Sequence, residues 1–301
     1  MYKKQTKLLI ILFNIFAFFV LNINAQEEGF ISENENIELY ETYISINSIK
    51  NIFPTIYNNG LIYSSANKSS FYHLLYSDLK SKPKKIKIPK KFQTGAVTTF
   101  KNEIYVTSTS SYVDSFGIFN LAIYKGEIED LKVKKLRMLS FCNSNFSYED
   151  PVISKDGNTM IVVTNENSRY HLLELIRNEN NEWERGDIIY ISHPNFKLLN
   201  PTIYDKNTIY FSSNIYKGKL KGLKYEKDGG ELKLVEKITE SGDFNIYKTQ
   251  RVDGKWQLPI KVEEFNSEFD ELGVVFDTDK SGYLTSYRFS NTDNIYYFKL
   301  K

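Results

Sequence analysis

A short sequence block recurs along this 301-residue chain and constrains its fold more than any other feature. The tetrapeptide Pro-Thr-Ile-Tyr stands at residues 54–57 and again at 201–204, each time followed by a turn and an Ile-Tyr strand that ends in Ser-Ser. Tyr-His-Leu-Leu recurs at residues 72–75 and 170–173, at the same place within its block. Repetition of one strand–turn–strand unit predicts an array of equivalent β-sheets.

The spacing of the blocks indicates the kind of array. They begin at residues 54, 96, 151, 201 and 273, which gives spacings of 42, 55, 50 and 72 residues. Periods of about 40–50 residues with four strands each are typical of β-propeller blades. Strands that are apolar nearly throughout fit sheets whose two faces are covered by neighbouring blades. We therefore predict an all-β propeller of four-stranded antiparallel blades over residues 36–301.

The 72-residue spacing leaves the number of blades open. In a five-bladed ring, which we favour, residues 222–238 are an inserted β-hairpin. In a six-bladed ring they complete the fourth blade, and residues 244–262 are what remains of a further one. The last block ends without a fourth strand, whereas residues 38–46 form a spare strand near the N-terminus. Pairing of these two segments is expected to close the ring and remove a free sheet edge.

The first 25 residues have the layout of a secretory signal peptide. Three lysines precede an apolar run of 14 residues, and Ala25 marks the expected cleavage position. The run is shorter than the roughly 20 residues of a membrane-spanning helix, so a cleaved signal is preferred to an anchor. Residues 26–35 are expected to be a disordered lead. We predict an exported protein that is periplasmic, outer-membrane-associated or extracellular, with no transmembrane span in the mature chain.

Composition narrows the function classes. Without residues 1–25 the chain carries 36 basic and 37 acidic side chains, a balance that gives no general attraction to nucleic acid. The single cysteine, Cys142, cannot form an intramolecular disulfide and is expected to be a small buried residue. Nucleophile-elbow, His-Glu-x-x-His and phosphate-binding glycine motifs are absent from the sequence. We therefore predict no cofactor, no metal and no catalytic residue.

Residues 242–288 carry a string of motifs. It runs from Asn245-Ile246-Tyr247 through Gly254-Lys255-Trp256 and Pro259 to the acidic segment Asn266–Glu271. The string resembles TolB-type, WD-repeat-like propellers, and more narrowly the propeller of OmpA-family envelope proteins of Bacteroidetes. The resemblance implies a β-propeller of the cell envelope. The peptidoglycan-binding OmpA-type domain has no counterpart in this sequence, so its anchoring role is not carried over.

Two acidic pairs precede inner strands of their blocks, Glu149/Asp150 and Asp270/Glu271. They are expected to make turn and blade-to-blade hydrogen bonds. Alternatively they line one channel mouth, where they bind a cation or a basic partner or serve a hydrolase or lyase. His73 and His171 occupy equivalent repeat positions and are expected to be structural, the alternative being metal ligands that face the channel.

Two surface features remain. The lysine-rich run at residues 80–91 is expected to be an outer edge strand, and the alternative is contact with anionic glycans or lipids. Tyr112 and Phe116, in a polar loop, are candidate contact residues. We therefore predict a non-catalytic propeller that binds an envelope protein, with glycan binding or hydrolysis at the channel mouth as the alternative; the binding residues are not identified by the sequence.

Overall fold

A computed structural model describes residues 29–45, 49–66, 72–89, 94–194, 196–215, 220–239 and 243–301. Within these ranges the chain is an all-β propeller of five blades, and helix is confined to two 3₁₀ turns, Glu166–Ser168 and Glu263–Phe265. The predicted fold class is confirmed, with five blades rather than six. The predicted signal peptide at residues 1–25 lies outside the described residues.

The strands are numbered in chain order. The first twelve are β1 Phe30–Glu33, β2 Ile37–Tyr40, β3 Lys50–Tyr57, β4 Gly60–Ala66, β5 His73–Ser77, β6 Lys84–Lys85, β7 Thr94–Phe100, β8 Glu103–Thr109, β9 Leu121–Glu129, β10 Lys132–Met138, β11 Tyr148–Ile153 and β12 Thr159–Thr164. The other twelve are β13 His171–Arg177, β14 Trp183–Ile191, β15 Leu198–Asp205, β16 Thr208–Ser213, β17 Leu220–Asp228, β18 Glu231–Thr239, β19 Asn245–Val252, β20 Lys255–Trp256, β21 Ile260–Lys261, β22 Glu271–Phe276, β23 Ser281–Ser286 and β24 Asn294–Leu300.

Each blade is an antiparallel sheet whose first strand lies beside the central channel. Blades 1 to 3 are β3–β6, β7–β10 and β11–β14, and blade 4 is β15, β16 and β19, edged by β20 and β21. Blade 5 contains β22, β23 and β24. Buried side chains gather between adjacent blades: Tyr105 of blade 2 packs with Leu173 of blade 3, and Ile246 of blade 4 with Phe298 of blade 5. The core is therefore a set of interfaces around the channel.

The N-terminal strand closes the ring, as the sequence predicts. β2 pairs with β24 from Ile37↔Leu300 to Tyr40↔Tyr297, so it supplies the fourth strand of blade 5. It is shorter than predicted because the chain turns at Thr42 and Ser45, whose hydroxyls both donate to the Ile295 carbonyl at 2.8 Å. Where the sequence analysis expects a disordered lead, β1 adds a fifth strand outside β2.

The long fourth spacing is explained by an inserted hairpin. β17 and β18 pair only with each other among the described strands, while β16 pairs directly with β19 from Ser213↔Asn245 onward. Blade 4 is thus complete without the hairpin, and no segment is left to build a sixth blade from the described residues. The hairpin alternative is confirmed.

A β-bulge interrupts the inner strand of every blade at the same level. In β3, β11 and β15 the bulged residue has a positive φ and is followed by proline; these residues are Phe53 (φ 61°), Asp150 (φ 52°) and Asn200 (φ 46°). Proline has no amide hydrogen to donate, and an innermost strand at a bulge is one of the few sheet positions that tolerates this loss. The repeated proline therefore marks the bulge.

The threonine after the proline joins neighbouring blades. The Thr55 hydroxyl of blade 1 donates to the Val97 carbonyl of blade 2 at 2.5 Å. The Thr202 hydroxyl of blade 4 makes the same bond, also at 2.5 Å, to the Val274 carbonyl of blade 5. The repeated Pro-Thr-Ile-Tyr segment thus combines a bulge with a bond to the next blade, which explains why both copies carry threonine.

Removal of this hydroxyl is expected to destabilise the ring. Thr202→Val keeps the side-chain shape and loses one buried hydrogen bond, so the free energy of unfolding should fall by about 1 kcal/mol. Urea unfolding followed by tryptophan fluorescence measures this. Thr285→Val is the matched control, because the Thr285 hydroxyl is buried without a partner among the described residues and its loss should cost nothing. Equal effects of the two substitutions would contradict the assignment.

Candidate functional site

The five inner strands run in the same direction along the channel, since equivalent residues of adjacent strands contact each other, as Thr55 and Val97 do. The ring therefore has two distinct faces. The turn face carries the turns that follow the inner strands, such as Lys101 and Lys155. The loop face carries the opposite connections, including the β8–β9 loop at residues 110–120 and the β17–β18 hairpin.

The channel holds a cavity of about 630 Å³ on the turn-face side. All five inner strands line it, from the level of the bulges to the turns that follow them. Its lining mixes aliphatic side chains such as Ile203 and Val275 with threonine hydroxyls, and charged residues stand only at its two ends. A volume of this size is within the range of small-molecule sites in proteins.

A hydrogen-bonded belt crosses the inner end of this cavity. Asp150 is 5% exposed; its amide donates to the Thr107 hydroxyl at 3.0 Å, and its carboxylate accepts from the Asn200 amide at 2.9 Å. The Asn200 side chain in turn donates to the Leu272 carbonyl. The belt joins blades 2, 3, 4 and 5. Burial raises the pKa of Asp150, and the Asn200 amide opposes that rise.

Glu149 precedes Asp150 in the chain but is not part of the belt. Burial and then the negative charge of Asp150 raise the pKa of its carboxyl, and Lys197 opposes the rise. Within the described part of the chain no hydrogen bond to its carboxylate is formed. Two adjacent carboxyls, of which Asp150 is buried and Glu149 half-buried, disfavour simultaneous ionisation, so this pair retains a proton at higher pH than isolated acids do.

Asp270 and Glu271 serve the structure of blade 5. The Asp270 carboxylate accepts from the Phe244 amide at 2.7 Å. Glu271 is fully buried and accepts from Arg288 Nη2 at 2.7 Å and from the Ser267 hydroxyl at 2.6 Å. Burial raises the pKa of Glu271 and Arg288 lowers it. The two acidic pairs are therefore not gathered into one carboxylate site: Asn200 stands between them, bound to Asp150 and to Leu272.

The histidines lie away from the channel. His73 and His171 begin the third strands of blades 1 and 3, so the alternative of a metal pair facing the channel is wrong. His171 is 2% exposed, with Nδ1 3.1 Å from the Arg169 carbonyl and Nε2 3.8 Å from the Glu166 carboxylate. Among the described residues, no group of three or more His, Cys, Asp or Glu side chains is placed to hold a metal ion.

Cys142 and the lysine-rich run, the remaining candidates, occupy positions that serve the fold. Cys142 is buried, and its sulfur accepts the Ile123 amide at 3.4 Å; burial raises the pKa of the thiol to about 12. The prediction of a small buried residue is confirmed. Lys84 and Lys85 form β6, the exposed outermost strand of blade 1, as the edge-strand interpretation predicts. None of the helices in the described ranges has the length and hydropathy to cross a bilayer.

The loop between β8 and β9, on the loop face, exposes a group of apolar side chains, of which the sequence analysis identified two. Tyr112 is 63% exposed and Phe116 is 86% exposed, in agreement with their choice as contact candidates. Three further side chains of the same loop are exposed by 45–59%: Val113, Ile118 and Phe119. The sequence pattern places Phe119 in the following strand, which in the structure begins only at Leu121.

Asp114 forms the hydrogen bonds that shape the turn of the tip. Its carboxylate accepts from the Phe116 and Ile118 amides, both at 2.8 Å, and its own amide donates to the Ile118 carbonyl at 2.9 Å. These bonds oblige the loop to present its apolar side chains outward. We refer to residues 112–119 as the apolar tip.

No protein-family model and no curated protein matches this chain. Among solved structures, the endo-arabinase of Bacteroides thetaiotaomicron matches with 15% identity and a TM-score of 0.54 over 87% of this chain and 98% of that one. A Bombyx mori GH32 beta-fructofuranosidase matches with 11% identity and a TM-score of 0.51 over 79% of this chain. The chain spans 55% of that enzyme's length. At identities this low, the structural likeness shows a shared fold and nothing further.

TolB from Acinetobacter baumannii also matches, with 10% identity over 85% of this chain and 55% of that one, at a TM-score of 0.44. The class that fold and channel define is a five-bladed β-propeller. The finer resemblance to OmpA-family envelope proteins stays a prediction.

The buried acidic pair predicts a pH dependence of stability. The folded chain keeps a proton on Glu149 at pH values where the unfolded chain has lost it. The contribution of Glu149 to the free energy of unfolding is therefore highest below pH 4.5, the ordinary pKa of the carboxyl, and falls as the pH rises through neutrality. Urea unfolding at a series of pH values across this window measures the fall.

Glu149→Gln cannot ionise and is expected to remove the larger part of that fall. The exposed Glu268, changed to Gln in the same way, is the control and should leave the pH profile unchanged. A Glu149→Gln profile as steep as that of the unmodified chain would show that this carboxyl is not the group responsible.

Proposed function

We propose that this chain is a non-catalytic binding module that docks a protein partner on its loop face through the apolar tip. The observation that carries the proposal is the exposure of five large apolar side chains on a loop whose turn is hydrogen-bonded to Asp114. Exposed apolar groups of this size on a soluble surface mark interaction sites. Rigid aromatic side chains also lose little conformational entropy on binding, which suits them to anchor an interface.

The chemistry around the tip favours a protein over a lipid surface. Asp114 is the only charged residue between Ser110 and Asn120, and the adjoining Asn143–Ser147 segment carries no charge. Peripheral membrane binding relies on basic residues beside the apolar ones, because they meet anionic headgroups. We therefore infer a partner with an uncharged, apolar groove.

A hydrolytic role has less support. Glycoside hydrolysis requires two carboxyl groups that flank the scissile bond at a separation of about 5–10 Å. Asp150, Asp270 and Glu271 each accept hydrogen bonds from neighbouring groups of the scaffold. Of these four acidic candidates, only Glu149 is left without such a bond to another described residue. The likeness to glycoside hydrolases is one of fold, and a fold hosts many functions.

The cellular setting of the proposal comes from the N-terminal segment. Residues 1–25 have the layout of a secretory signal, and a protein partner in the cell envelope is consistent with it. We propose that the module acts after export, as a scaffold for an envelope protein.

The proposal is tested by site-specific photo-crosslinking in the native cell envelope. A photoreactive phenylalanine analogue replaces Phe116, and in a second variant it replaces Leu258, which is 83% exposed on the outer edge of blade 4. We expect a reproducible link to one envelope protein from position 116 and none from position 258. Equal crosslinking from both positions would overturn the assignment of the docking surface.

Substitution then measures the contribution of the tip. With the linked protein purified, Phe116→Ser should weaken its binding by about 10- to 100-fold, the loss expected for an aromatic anchor. Leu258→Ser should leave the affinity unchanged. Hydrolysis of an arabinan or a fructofuranoside by the purified chain, abolished by Glu149→Gln, would replace the binding role by an enzymatic one.

A further inference from the structure

The channel cavity opens at the face opposite the apolar tip, and its mouth carries charges of both signs. Lys101 of blade 2 and Lys155 of blade 3 line the cavity at the turns that follow their inner strands. Asp277 and Asp279 line it at the corresponding turn of blade 5. In a ring of five blades, blade 5 lies across the channel from the boundary between blades 2 and 3. The two lysines therefore face the two aspartates across the mouth.

These charges are not neutralised within the protein. Neither lysine nor Asp279 forms an ion pair with any other described residue, although Lys101 Nζ lies 5.1 Å from the centroid of the Phe100 ring. Asp277 accepts one hydrogen bond, from the Ser281 hydroxyl at 2.6 Å. A ligand that carries both charges at its two ends can satisfy them together, and this is charge complementarity of the kind that selects a ligand.

The wall below the mouth suits an aliphatic body. Ile203 and Val275 are half-buried side chains of the cavity lining, and Thr55 and Thr202 use their hydroxyls to bind neighbouring blades. Ile203 and Val275 pack in part against core clusters, and the surface that they leave exposed to the cavity can contact methylene groups. The cavity volume of about 630 Å³ exceeds what a small aliphatic ligand needs.

We propose that this cavity binds a small zwitterion, its carboxylate against Lys101 and Lys155 and its ammonium group against Asp277 and Asp279. The chemical class is an amino acid or a similar compound whose charges are separated by a short aliphatic chain. This site is independent of the proposed function, because it lies on the turn face and the apolar tip lies on the loop face.

Isothermal titration calorimetry of the full chain at low salt tests the proposal. The probe is 6-aminohexanoate, and hexanoate and hexylamine are single-charge analogues of the same length. We expect the zwitterion to bind at least about tenfold more tightly than either analogue, since each analogue loses one charge contact. Equal affinities for the three compounds would overturn the proposal. So would the absence of binding by every ω-amino acid from 4-aminobutanoate to 8-aminooctanoate.

Substitutions then assign each charge to its partner. The double variant Lys101→Gln, Lys155→Gln should lose the preference for 6-aminohexanoate over hexylamine, because the carboxylate no longer has a partner. Asp279→Asn should reduce the preference over hexanoate. Lys206→Gln removes a lysine from the equivalent turn of blade 4, outside the cavity lining, and should change neither preference. An equal loss of binding in Lys206→Gln would show that the effect arises from the net charge of the protein, and it would refute the site.

The result of the zwitterion test can be distinguished from the result of the docking test. Phe116→Ser should leave the binding of 6-aminohexanoate unchanged, and saturating 6-aminohexanoate should leave the crosslink from position 116 in place. A loss of calorimetric binding in Phe116→Ser would show that the two faces do not act independently, which contradicts the assignment of the zwitterion to the turn-face mouth.

Discussion

The stability of this ring depends on adhesion between blades at the level of the inner-strand bulges. A propeller has no central core, because its axis is a channel, so each blade must hold its two neighbours. Here the bulges turn the backbone so that Asp150 and Asn200 reach across the blade boundaries, and the threonines after the prolines add bonds just beyond. Aliphatic and aromatic side chains fill the wedges between the sheets. The polar belt sets the alignment of blades that the apolar interfaces hold together.

The repeat unit made most of the architecture predictable. Pro-Thr-Ile-Tyr and the turns that follow it mark inner hairpins, and the spare strand near residue 37 has only the incomplete last blade to pair with. The acidic residue Asp150 was expected to make blade-to-blade bonds, and it does. The hairpin of β17 and β18 was favoured over a sixth blade by the spacing of the blocks, but its strand pattern alone is that of any outer blade strand.

The candidate sites were harder to predict from the sequence than the fold was, and the reason is physical. The cavity is made by five strands that are distant in the chain, and its charged mouth arises only when Lys101 and Asp279 are brought to opposite sides of one ring. The apolar tip was partly visible as Tyr112 and Phe116. Phe119 was assigned to a strand because its apolar neighbours continue the strand pattern, and only the turn around Asp114 exposes it.

Closure of the ring by β2 has a consequence for how the molecule is made. Ile37 pairs with Leu300, so β2 finds its partner only after the strands of all five blades have been synthesised. Contacts of such sequence separation form slowly, because a long loop must be closed before they stabilise anything. Until residues 294–300 are present, the molecule is an open crescent with an unpaired sheet edge. Pairing of β2 with β24 therefore makes the presence of both segments a condition of the closed ring.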